Sequence, residues 1–491
     1  MNIVYDIKPF IAPFSWCANV NESVCKVICG KDVETRDNFW VEGAWNGMFS
    51  DADFVNADWF CGTGGVIVNK GVVFSTPSHV TSGLYSTYSK NGFCISNSLY
   101  LLLSINEYSL DPQYINYEVD FNSILDGINK YKDIIHVRGG DVRVHYFKNI
   151  VVNDEGIVEL NKQCVQLFRD FFDYYERLHD SINKFVKNGC DEHRKKTYGI
   201  VTTVSKGYDA PCCAVLAKQA GCDTAVTFSA DGKYKDDSGA EIAKKLGYSK
   251  VIERNALDYL NRTDIVEAEY LCTGELGAQI SLSAFDNEFK GNMVFTGDRG
   301  DSIWNKYNPI CNNEYRFVDI LNHLGSSERK LWLGYISVPM PLFGASSWTS
   351  IQKISLSEEM NPWSLNNGYD RPIPRRICES AGLSRNMFGF EKHGAGFTYK
   401  YDWMNRIKRR MSHNASLSFQ DYVRKNMQYN VFEIITYYWK TKAIYLNKLG
   451  FKMKMPDQDV IRNISNPTVV RYLIPWAGSY MIDKYNKGLG K

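Results

Sequence analysis

The feature that most constrains the fold is a short apolar run that leads directly into a polar loop and a helix. Residues 198–204 read Tyr-Gly-Ile-Val-Thr-Thr-Val, a composition suited to a buried strand, and residues 205–209 form the polar loop. Pro211 suits the first turn of the helix, and Gly221 ends it. A second apolar run follows at residues 224–228. This pattern predicts a β-loop-α-β unit and therefore an α/β domain with parallel strands.

The polar loop lies where the backbone favours an anion. The first N–H groups of a helix are unpaired and carry partial positive charge, so the loop suits a phosphate group. Asp209 would repel that phosphate unless a magnesium ion lay between them. The loop has neither the Walker A pattern nor the G-x-G-x-x-G pattern of dinucleotide sites. The residues predict a phosphate site with Mg²⁺, and the alternative is an ordinary strand-turn-helix corner.

A second polar loop follows the apolar run at residues 292–295. Gly297, Asp298 and Asp301 lie in this loop, which directly follows a predicted strand. The carboxyl edge of a parallel sheet is where α/β proteins bind ligands. Two carboxylates from separate loops hold one hard cation against a triphosphate better than one loop does. The alternative for this loop alone is a solvated turn.

The first loop resembles the pyrophosphate loop of the PP-loop ATP pyrophosphatases. Residues 205–210 read Ser-Lys-Gly-Tyr-Asp-Ala against the family pattern S-G-G-x-D-S. Lys206 replaces a glycine and would add a positive charge where the family uses backbone alone, and Ala210 replaces a serine. The second loop resembles the S-G-E-G-A/G-D-E loop of the asparagine-synthetase-like branch. Asp298 stands where that branch has glutamate, and Ser302 replaces its last acid.

The resemblance implies a site for ATP and Mg²⁺. Asp209 and Asp301 would hold the metal, and Asp298 would assist the chemistry. The remaining residues expected to contact the nucleotide are Ser205, Lys206, Gly207, Tyr208, Thr227, Phe228, Ser229 and Gly297. Core packing explains Phe228 equally well. Residues 375–397 resemble a late asparagine-synthetase segment, in which Lys392 would stabilise charge on the reacting phosphate, the alternative being a surface lysine.

The amino-terminal part is predicted to be built from strands. Residues 65–68 and 72–74 are β-branched or aromatic runs around a hairpin turn. This part resembles the glutaminase half of the same synthetases, whose nucleophile is a cysteine exposed as the first residue after Met removal. Here position 2 is Asn2, and the nearest cysteine is Cys17. The resemblance therefore implies a degenerate glutaminase-like domain that does not hydrolyse glutamine.

The expected fold class is α/β in three parts. These parts are an amino-terminal β-rich (Ntn-glutaminase-like) domain, a central doubly wound parallel-sheet PP-loop domain, and a helical carboxyl-terminal extension. The expected bounds are 1–162 for the first domain, 163–196 for a helical linker, 197–310 for the nucleotide-binding core and 311–491 for the helical part. Periodic apolar residues predict a linker helix from about residue 164 to 186. A further helix is predicted over residues 236–247, with Ser238 as its cap.

Composition excludes several functions. The formal net charge is +2, which gives no large field for capturing nucleic acid or an anionic membrane. No run approaches the roughly 18 apolar residues that cross a bilayer. The 13 cysteines are odd in number and lack the spacing of a disulfide framework. No signal peptide is evident at the amino terminus. We therefore expect a cytoplasmic protein with neither a nucleic-acid nor a membrane partner.

These expectations combine into one hypothesis and two alternatives. The hypothesis is an ATP-dependent ligase that adenylates a small-molecule carboxylate, releases pyrophosphate and transfers the acyl group to an amine or ammonia. A homo-oligomer or a biosynthetic partner enzyme is possible. One alternative is a non-catalytic nucleotide-binding or assembly protein, which the replacements at Lys206, Ala210 and Ser302 favour. The other is a PP-loop enzyme of RNA modification, against which the near-neutral charge and the lack of spaced cysteines argue.

Overall fold

The structure is a computed structural model of the chain, and it has a mixed α/β fold with three sheets. The sheets are followed by a mostly helical carboxyl-terminal part. The residues that the structure describes are 1–21, 23–69, 71–89, 92–162, 166–229, 237–274, 276–317, 327–390, 398–399, 404–428 and 468–491, with the single positions 435, 438, 439, 442 and 446.

The strands and helices of this described part are numbered in chain order. The strands are β1 (Asn2–Lys8), β2 (Trp16–Val20), β3 (Val24–Gly30), β4 (Glu34–Thr35), β5 (Phe39–Trp45), β6 (Phe60–Val68), β7 (Gly71–Ser75), β8 (Leu84–Ser89), β9 (Gly92–Ser96), β10 (Ile134–Ile135), β11 (Val142–His145), β12 (Lys148–Asn153), β13 (Gly156–Asn161), β14 (Gly199–Thr203), β15 (Thr224–Phe228), β16 (Lys250–Arg254), β17 (Asn292–Thr296) and β18 (Ile336–Pro339). The helices are α1 (Leu99–Asn106), α2 (Tyr117–Asn122), α3 (Phe171–Gly189), α4 (Asp209–Gln219), α5 (Ala240–Lys245), α6 (Val266–Leu271), α7 (Asp286–Phe289), α8 (Gly300–Ile303), α9 (Ser327–Leu333), α10 (Trp348–Leu356), α11 (Pro372–Ser380), α12 (Met404–Lys408), α13 (His413–Asn426) and α14 (Leu473–Leu489).

Two of the sheets form the amino-terminal half, which we call the sandwich. One sheet has seven strands in the order β1-β3-β2-β9-β8-β11-β10, and the other has six in the order β13-β12-β7-β6-β5-β4. Trp16 of the first sheet packs against Trp40 and Phe74 of the second, with ring centroids 5.7 and 6.1 Å away. The predicted hairpin is confirmed as β6 and β7, paired through Val68 and Gly71. Facing apolar sides thus give the sandwich its core.

The third sheet, which we call the parallel sheet, has the strand order β16-β15-β14-β17-β18. All four pairings are parallel. The chain builds outward from β14 through β15 to β16 and then returns to the other side of β14 with β17 and β18. The order therefore reverses between β14 and β17, where open α/β sheets place their ligand crevice. Both sequence-predicted loops follow these two strands.

Three predicted boundaries differ from the structure. The linker helix begins at Phe171 rather than near residue 164, because Asp170 caps it by accepting a hydrogen bond from the Asp173 N–H at 2.8 Å. The parallel sheet extends beyond residue 310, since β18 follows α9. The helix α5 begins at Ala240 with Gly239 at the N-cap position, while the Ser238 hydroxyl accepts a hydrogen bond from the Ala240 N–H at 3.3 Å and Ser238 forms a β-bridge with Ser205.

The carboxyl-terminal helix ties the two halves together. α14 packs against α1 of the sandwich and against α6 of the parallel-sheet half. The Tyr485 hydroxyl donates to Glu328, which also accepts a hydrogen bond from Ser98. Within the described residues, no disulfide joins the cysteines, and no helix has the length and apolar character that a membrane crossing requires.

Candidate functional site

The first loop leaves β14 and is held in place by backbone contacts. The Val204 N–H donates to the Val226 carbonyl at 3.0 Å, so the strand pairing continues one residue past β14. The Gly207 N–H points back to the Ser205 hydroxyl oxygen at 3.3 Å. The Lys206 N–H donates to the Asp237 carboxylate at 3.0 Å. Ser205, Lys206 and Gly207 therefore form a compact, half-buried turn that leads into α4.

The second loop leaves β17 and lies directly against the start of α4. A methyl group added at Gly297 would lie 2.8 Å from the Asp209 Cβ, and one added at Gly300 would lie 2.5 Å from the Asp209 Oδ1. Only glycine fits at these two positions, because the Asp209 side chain occupies the space. The two predicted loops therefore meet at Asp209.

A buried arginine is the partner of Asp209. Arg371 immediately precedes α11 and is 4% exposed. Its guanidinium forms an ion pair with the Asp209 carboxylate, whose side chain is 17% exposed. The guanidinium carbon also lies 4.8 Å from the centroid of the Tyr369 ring. The positive charge next to Asp209 thus comes from a residue that the sequence analysis did not select.

The charge of Arg371 is stabilised by more than one acid. Burial would lower the pKa of Arg371, but the Asp209 carboxylate, Tyr369 and Asp301 outweigh burial and raise the pKa. Asp301 is the second residue of α8 and is half-buried. The two aspartates predicted to share one cation therefore both raise the pKa of the same guanidinium.

The segment before Arg371 is fixed by Asp370. The Asp370 carboxylate accepts hydrogen bonds from the N–H groups of Leu365 and Asn366 at 3.1 and 3.0 Å. The Tyr369 hydroxyl lies 3.5 Å from the position that a Cβ at Gly207 would take. Because this segment is locked to itself and touches the first loop, it forms one wall of the candidate site.

Asp298 and its neighbour show how the second loop is shaped. The Asp298 carboxylate accepts a hydrogen bond from the Gln279 side-chain amide at 3.2 Å. Arg299 has a left-handed backbone with φ of 69°, which is unusual for a residue with a side chain. The Arg299 guanidinium carbon lies 4.6 Å from the centroid of the Phe317 ring. A backbone held in this conformation by its surroundings is a common feature of ligand sites.

The residues predicted at the adenine edge lie at the end of β15. Thr227 is buried, and its hydroxyl oxygen accepts a hydrogen bond from the Gly239 N–H at 2.8 Å. The Phe228 ring packs against Phe285 at 5.1 Å between centroids. The Ser229 N–H donates to the Arg254 carbonyl at 2.9 Å. Thr227 and Phe228 thus have structural contacts of their own.

Tyr208 is a buried support of the first loop. Its hydroxyl accepts a hydrogen bond from the fully buried Arg375 at 2.7 Å. A Cβ at Gly389 would lie 2.5 Å from the Tyr208 ring, and the Gly389 N–H donates to the Lys206 carbonyl at 2.9 Å. The Tyr208 side chain therefore packs behind the loop. Lys392 follows three residues after Gly389 but lies outside the described residues.

The donor set at the two loops fits a magnesium ion only with phosphate oxygens added. Among the described residues, no group of three or more His, Cys, Asp or Glu side chains has an arrangement that could hold a metal. Mg²⁺ is commonly bound by one or two carboxylates together with substrate phosphates. Asp209 and Asp301 supply the two carboxylates, so they fit a metal that arrives with a nucleotide.

The sandwich has no nucleophile in the position that the resemblance would require. Asn2 begins β1, which lies at the edge of its sheet. Cys17 is buried in β2, and burial raises the pKa of its thiol well above its ordinary value. A buried, protonated thiol is a poor nucleophile. Cys212 and Cys213 are also buried, as expected of packing residues.

Sequence reasoning missed three contributors to the site: Arg371, Tyr369 and Gly300. Arg371 is separated from Asp209 by 162 residues, so no local pattern connects them. The only local signal for Arg371 is its position before Pro372, which suits a helix start. Gly300 was within the second motif, but its contact with Asp209 depends on the pairing of β14 with β17.

Comparison with known proteins finds no match, so the site is interpreted from its geometry. No family model matches the chain. No curated protein matches it either. The convergence of two strand-end loops on Asp209, Asp301 and Arg371 is therefore the observation from which function is inferred.

Proposed function

We propose that the chain is an ATP-dependent, amide-forming ligase that adenylates a small-molecule carboxylate and releases pyrophosphate. The observation that carries the proposal is the meeting of two loops at the reversal point of a parallel sheet. Asp209 from one loop packs against Gly297 and Gly300 of the other. Asp301 acts on the same guanidinium as Asp209. Such an edge is where α/β proteins bind nucleotides.

The reaction would proceed in two steps. In the first step, a carboxylate oxygen of the substrate bonds to the α-phosphorus of ATP, and the bond from that phosphorus to the bridging oxygen breaks, releasing pyrophosphate. In the second, an amine or ammonia attacks the acyl carbon, and the acyl–oxygen bond breaks, releasing AMP and one proton. Asp298, whose carboxylate is oriented by Gln279, is the proposed acceptor of that proton.

Each loop has a proposed role in binding. Ser205 and Gly207 would hold the pyrophosphate portion at the start of α4. Magnesium, held by Asp209 and Asp301, would supply positive charge that offsets the charge of the triphosphate. Lys392, which lies outside the described residues, would stabilise charge on the reacting phosphate.

Arg371 requires its own role in this scheme. Its guanidinium pairs with the carboxylate that would bind the metal. We propose that Arg371 offsets part of the negative charge of Asp209 and Asp301 before the nucleotide arrives, and that it turns toward a phosphate oxygen when the nucleotide binds. A guanidinium suits both partners, because it binds carboxylate and phosphate with the same planar fork.

A second function is favoured by the same arginine. If Arg371 stays next to the acids when the nucleotide binds, its positive charge makes a metal unnecessary. The chain would then bind a nucleotide without cleaving it. The replacements at Lys206 and Ala210 in the first loop agree with that possibility. The sandwich would then serve assembly. Glutamine hydrolysis is not proposed in either case, because Cys17 is buried.

Pyrophosphate exchange separates the two functions. Purified protein would be incubated with ATP, Mg²⁺, labelled pyrophosphate and pooled carboxylates, and label entering ATP would be measured. Carboxylate-dependent exchange that is lost in Asp209→Asn and kept in Asp58→Asn supports the ligase, since Asp58 is exposed and distant in sequence. ATP binding without exchange in any pool would reject the ligase and support the nucleotide-binding function.

A further inference from the structure

The amino edge of the parallel sheet, opposite the candidate nucleotide site, contains a cavity. It has a volume of about 410 Å³, within the range of small-molecule sites. Lys196 leads into β14, Lys290 leads into β17 and Leu333 leads into β18, so the cavity lies where these strands begin. It shares no residue with the two loops at the carboxyl edge.

Lysines dominate the lining of this cavity. Lys31, Lys195, Lys196 and Lys290 contribute four positive charges, and Asp32 contributes the one negative charge. The Lys196 Nζ lies 2.9 Å from the Asp32 carboxylate. In the described part of the chain, the ammonium groups of the other three lysines have no carboxylate partner, although the Lys195 backbone N–H donates to Glu34 at 2.9 Å. The formal charge of the lining is therefore +3, which attracts an anion.

One wall of the cavity is apolar. Pro13, Trp332 and Leu333 form this wall. Trp332 is fixed by its neighbours, because the Lys484 Nζ lies 3.7 Å from the centroid of its ring and the Tyr485 ring lies 5.0 Å away. A fixed aromatic surface beside several ammonium groups suits a molecule with both an organic part and a charged part.

We propose that this cavity binds a phosphorylated small molecule, with the phosphate on the lysines and the organic part on Trp332. Lysine ammonium groups act as point charges and are common phosphate ligands. The ligand would touch both halves of the molecule, since Pro13, Lys31 and Asp32 belong to the sandwich and Lys290 and Trp332 to the parallel-sheet half. Binding would therefore also stabilise the contact between the halves.

The test compares three probes: phenyl phosphate, inorganic phosphate and phenol. Binding is measured by calorimetry on the full chain carrying Asp209→Asn, with EDTA present, so that the proposed nucleotide chemistry plays no part. Phenyl phosphate should bind at least about tenfold more tightly than either other probe, because it alone uses both walls. Its affinity should also fall as salt is added.

Charge reversal then locates the site. Lys195→Glu with Lys290→Glu should weaken phenyl phosphate binding at least about tenfold. Lys244→Glu with Lys245→Glu, two exposed lysines at the end of α5, is the matched control and should change it less than about twofold. If the charge-reversed variant does not fold, the neutral variant Lys195→Gln with Lys290→Gln replaces it and should also weaken phenyl phosphate binding.

Three outcomes would overturn the proposal. They are no binding of phenyl phosphate, equal binding of inorganic phosphate, and equal weakening by the control pair. Because the measurement uses Asp209→Asn without metal, its result does not depend on whether the protein adenylates a carboxylate. A failed exchange assay with intact phenyl phosphate binding would reject the ligase and leave this site in place.

Discussion

Two buried places, one in each half of the molecule, differ in how they accommodate charge. In the sandwich, burial lowers the pKa of His79 to about 3, with Lys330 and Lys162 adding to the effect, and burial lowers the pKa of Lys162 to about 7. At the carboxyl edge of the parallel sheet, Arg371 keeps its charge because Asp209 and Asp301 raise its pKa. Burial thus favours the neutral form of His79 and Lys162, whereas at the carboxyl edge acids stabilise the charged form of Arg371.

The difference indicates which half is suited to an ionic ligand. A group that is neutral when buried offers a ligand little charge to exchange. In an ion pair, by contrast, a ligand can replace one of the two groups if it carries a charge of the same sign as the group that it replaces. We therefore expect Asp209 to exchange the Arg371 guanidinium for a metal, whereas we expect His79 and Lys162 to have structural roles only. The predictions below test this contrast, from the largest effect to the smallest.

The largest effect should come from moving Asp209 without removing it. Gly300→Ala would place a methyl group 2.5 Å from the Asp209 Oδ1, so the carboxylate must shift. We expect pyrophosphate exchange to fall by roughly tenfold to a hundredfold, because small displacements of a positioned group are costly. Gly368→Ala is the control, since a methyl group there meets nothing within 4 Å. Unchanged exchange in Gly300→Ala would show that Asp209 is not part of the site.

A smaller effect is expected when the ion pair between Arg371 and Asp209 is broken. Arg371→Gln leaves Asp209 without its guanidinium, which we expect to cost about 2 kcal/mol of unfolding free energy at this partly exposed carboxylate. Millimolar Mg²⁺ should then raise the melting temperature of this variant by a few degrees, because the metal replaces the lost charge. The measurement is a thermal melt with and without Mg²⁺.

Lys162→Met is the comparison variant for that melt. It removes a buried amine of the sandwich whose pKa burial lowers to about 7. The substitution therefore leaves no unpaired carboxylate that would attract a metal. We expect no Mg²⁺ effect on Lys162→Met or on the unmodified protein. An equal Mg²⁺ response in both variants would contradict the contrast between the two halves.

The smallest effect concerns acid stability of the sandwich. His79 has its pKa lowered from 6.5 to about 3, so the unfolded chain takes up a proton that the folded protein does not. Folding stability at this residue is therefore lost as the pH falls from about 6.5 to 3. His79→Gln should remove roughly 1 kcal/mol of the loss between pH 6 and 5, measured by urea unfolding. His413→Gln, at an exposed histidine, is the matched control for this comparison.

Local sequence patterns predicted much of the parallel-sheet half. The bounds of β14, β15 and β17 follow from apolar runs, and Pro211 and Gly221 mark the helix between the first two. The start of α3 was predicted wrongly, because apolar periodicity continues through Phe168, which is buried but precedes the helix. β18 was missed because it has four residues, too few for a periodic signal.

The site itself was only partly accessible from sequence. Glycine and aspartate after a strand predict a ligand loop, so Asp209, Asp298 and Asp301 were selected. The wall formed by Tyr369 and Arg371 depends on how a distant segment packs, which no local pattern encodes. For the same reason, the buried role of Tyr208 behind the loop follows from Arg375 and Gly389 rather than from the motif.

The most direct test is to locate a metal bound together with a nucleotide. A crystal structure with Mn²⁺ and α,β-methylene-ATP, in which the bond to the α-phosphate cannot be cleaved, would place the metal through its anomalous signal. We predict that Mn²⁺ lies within about 2.5 Å of an oxygen of both Asp209 and Asp301, with Arg371 turned toward a phosphate. Nucleotide bound elsewhere, or Arg371 still paired with Asp209 and no metal between the two acids, would contradict the account.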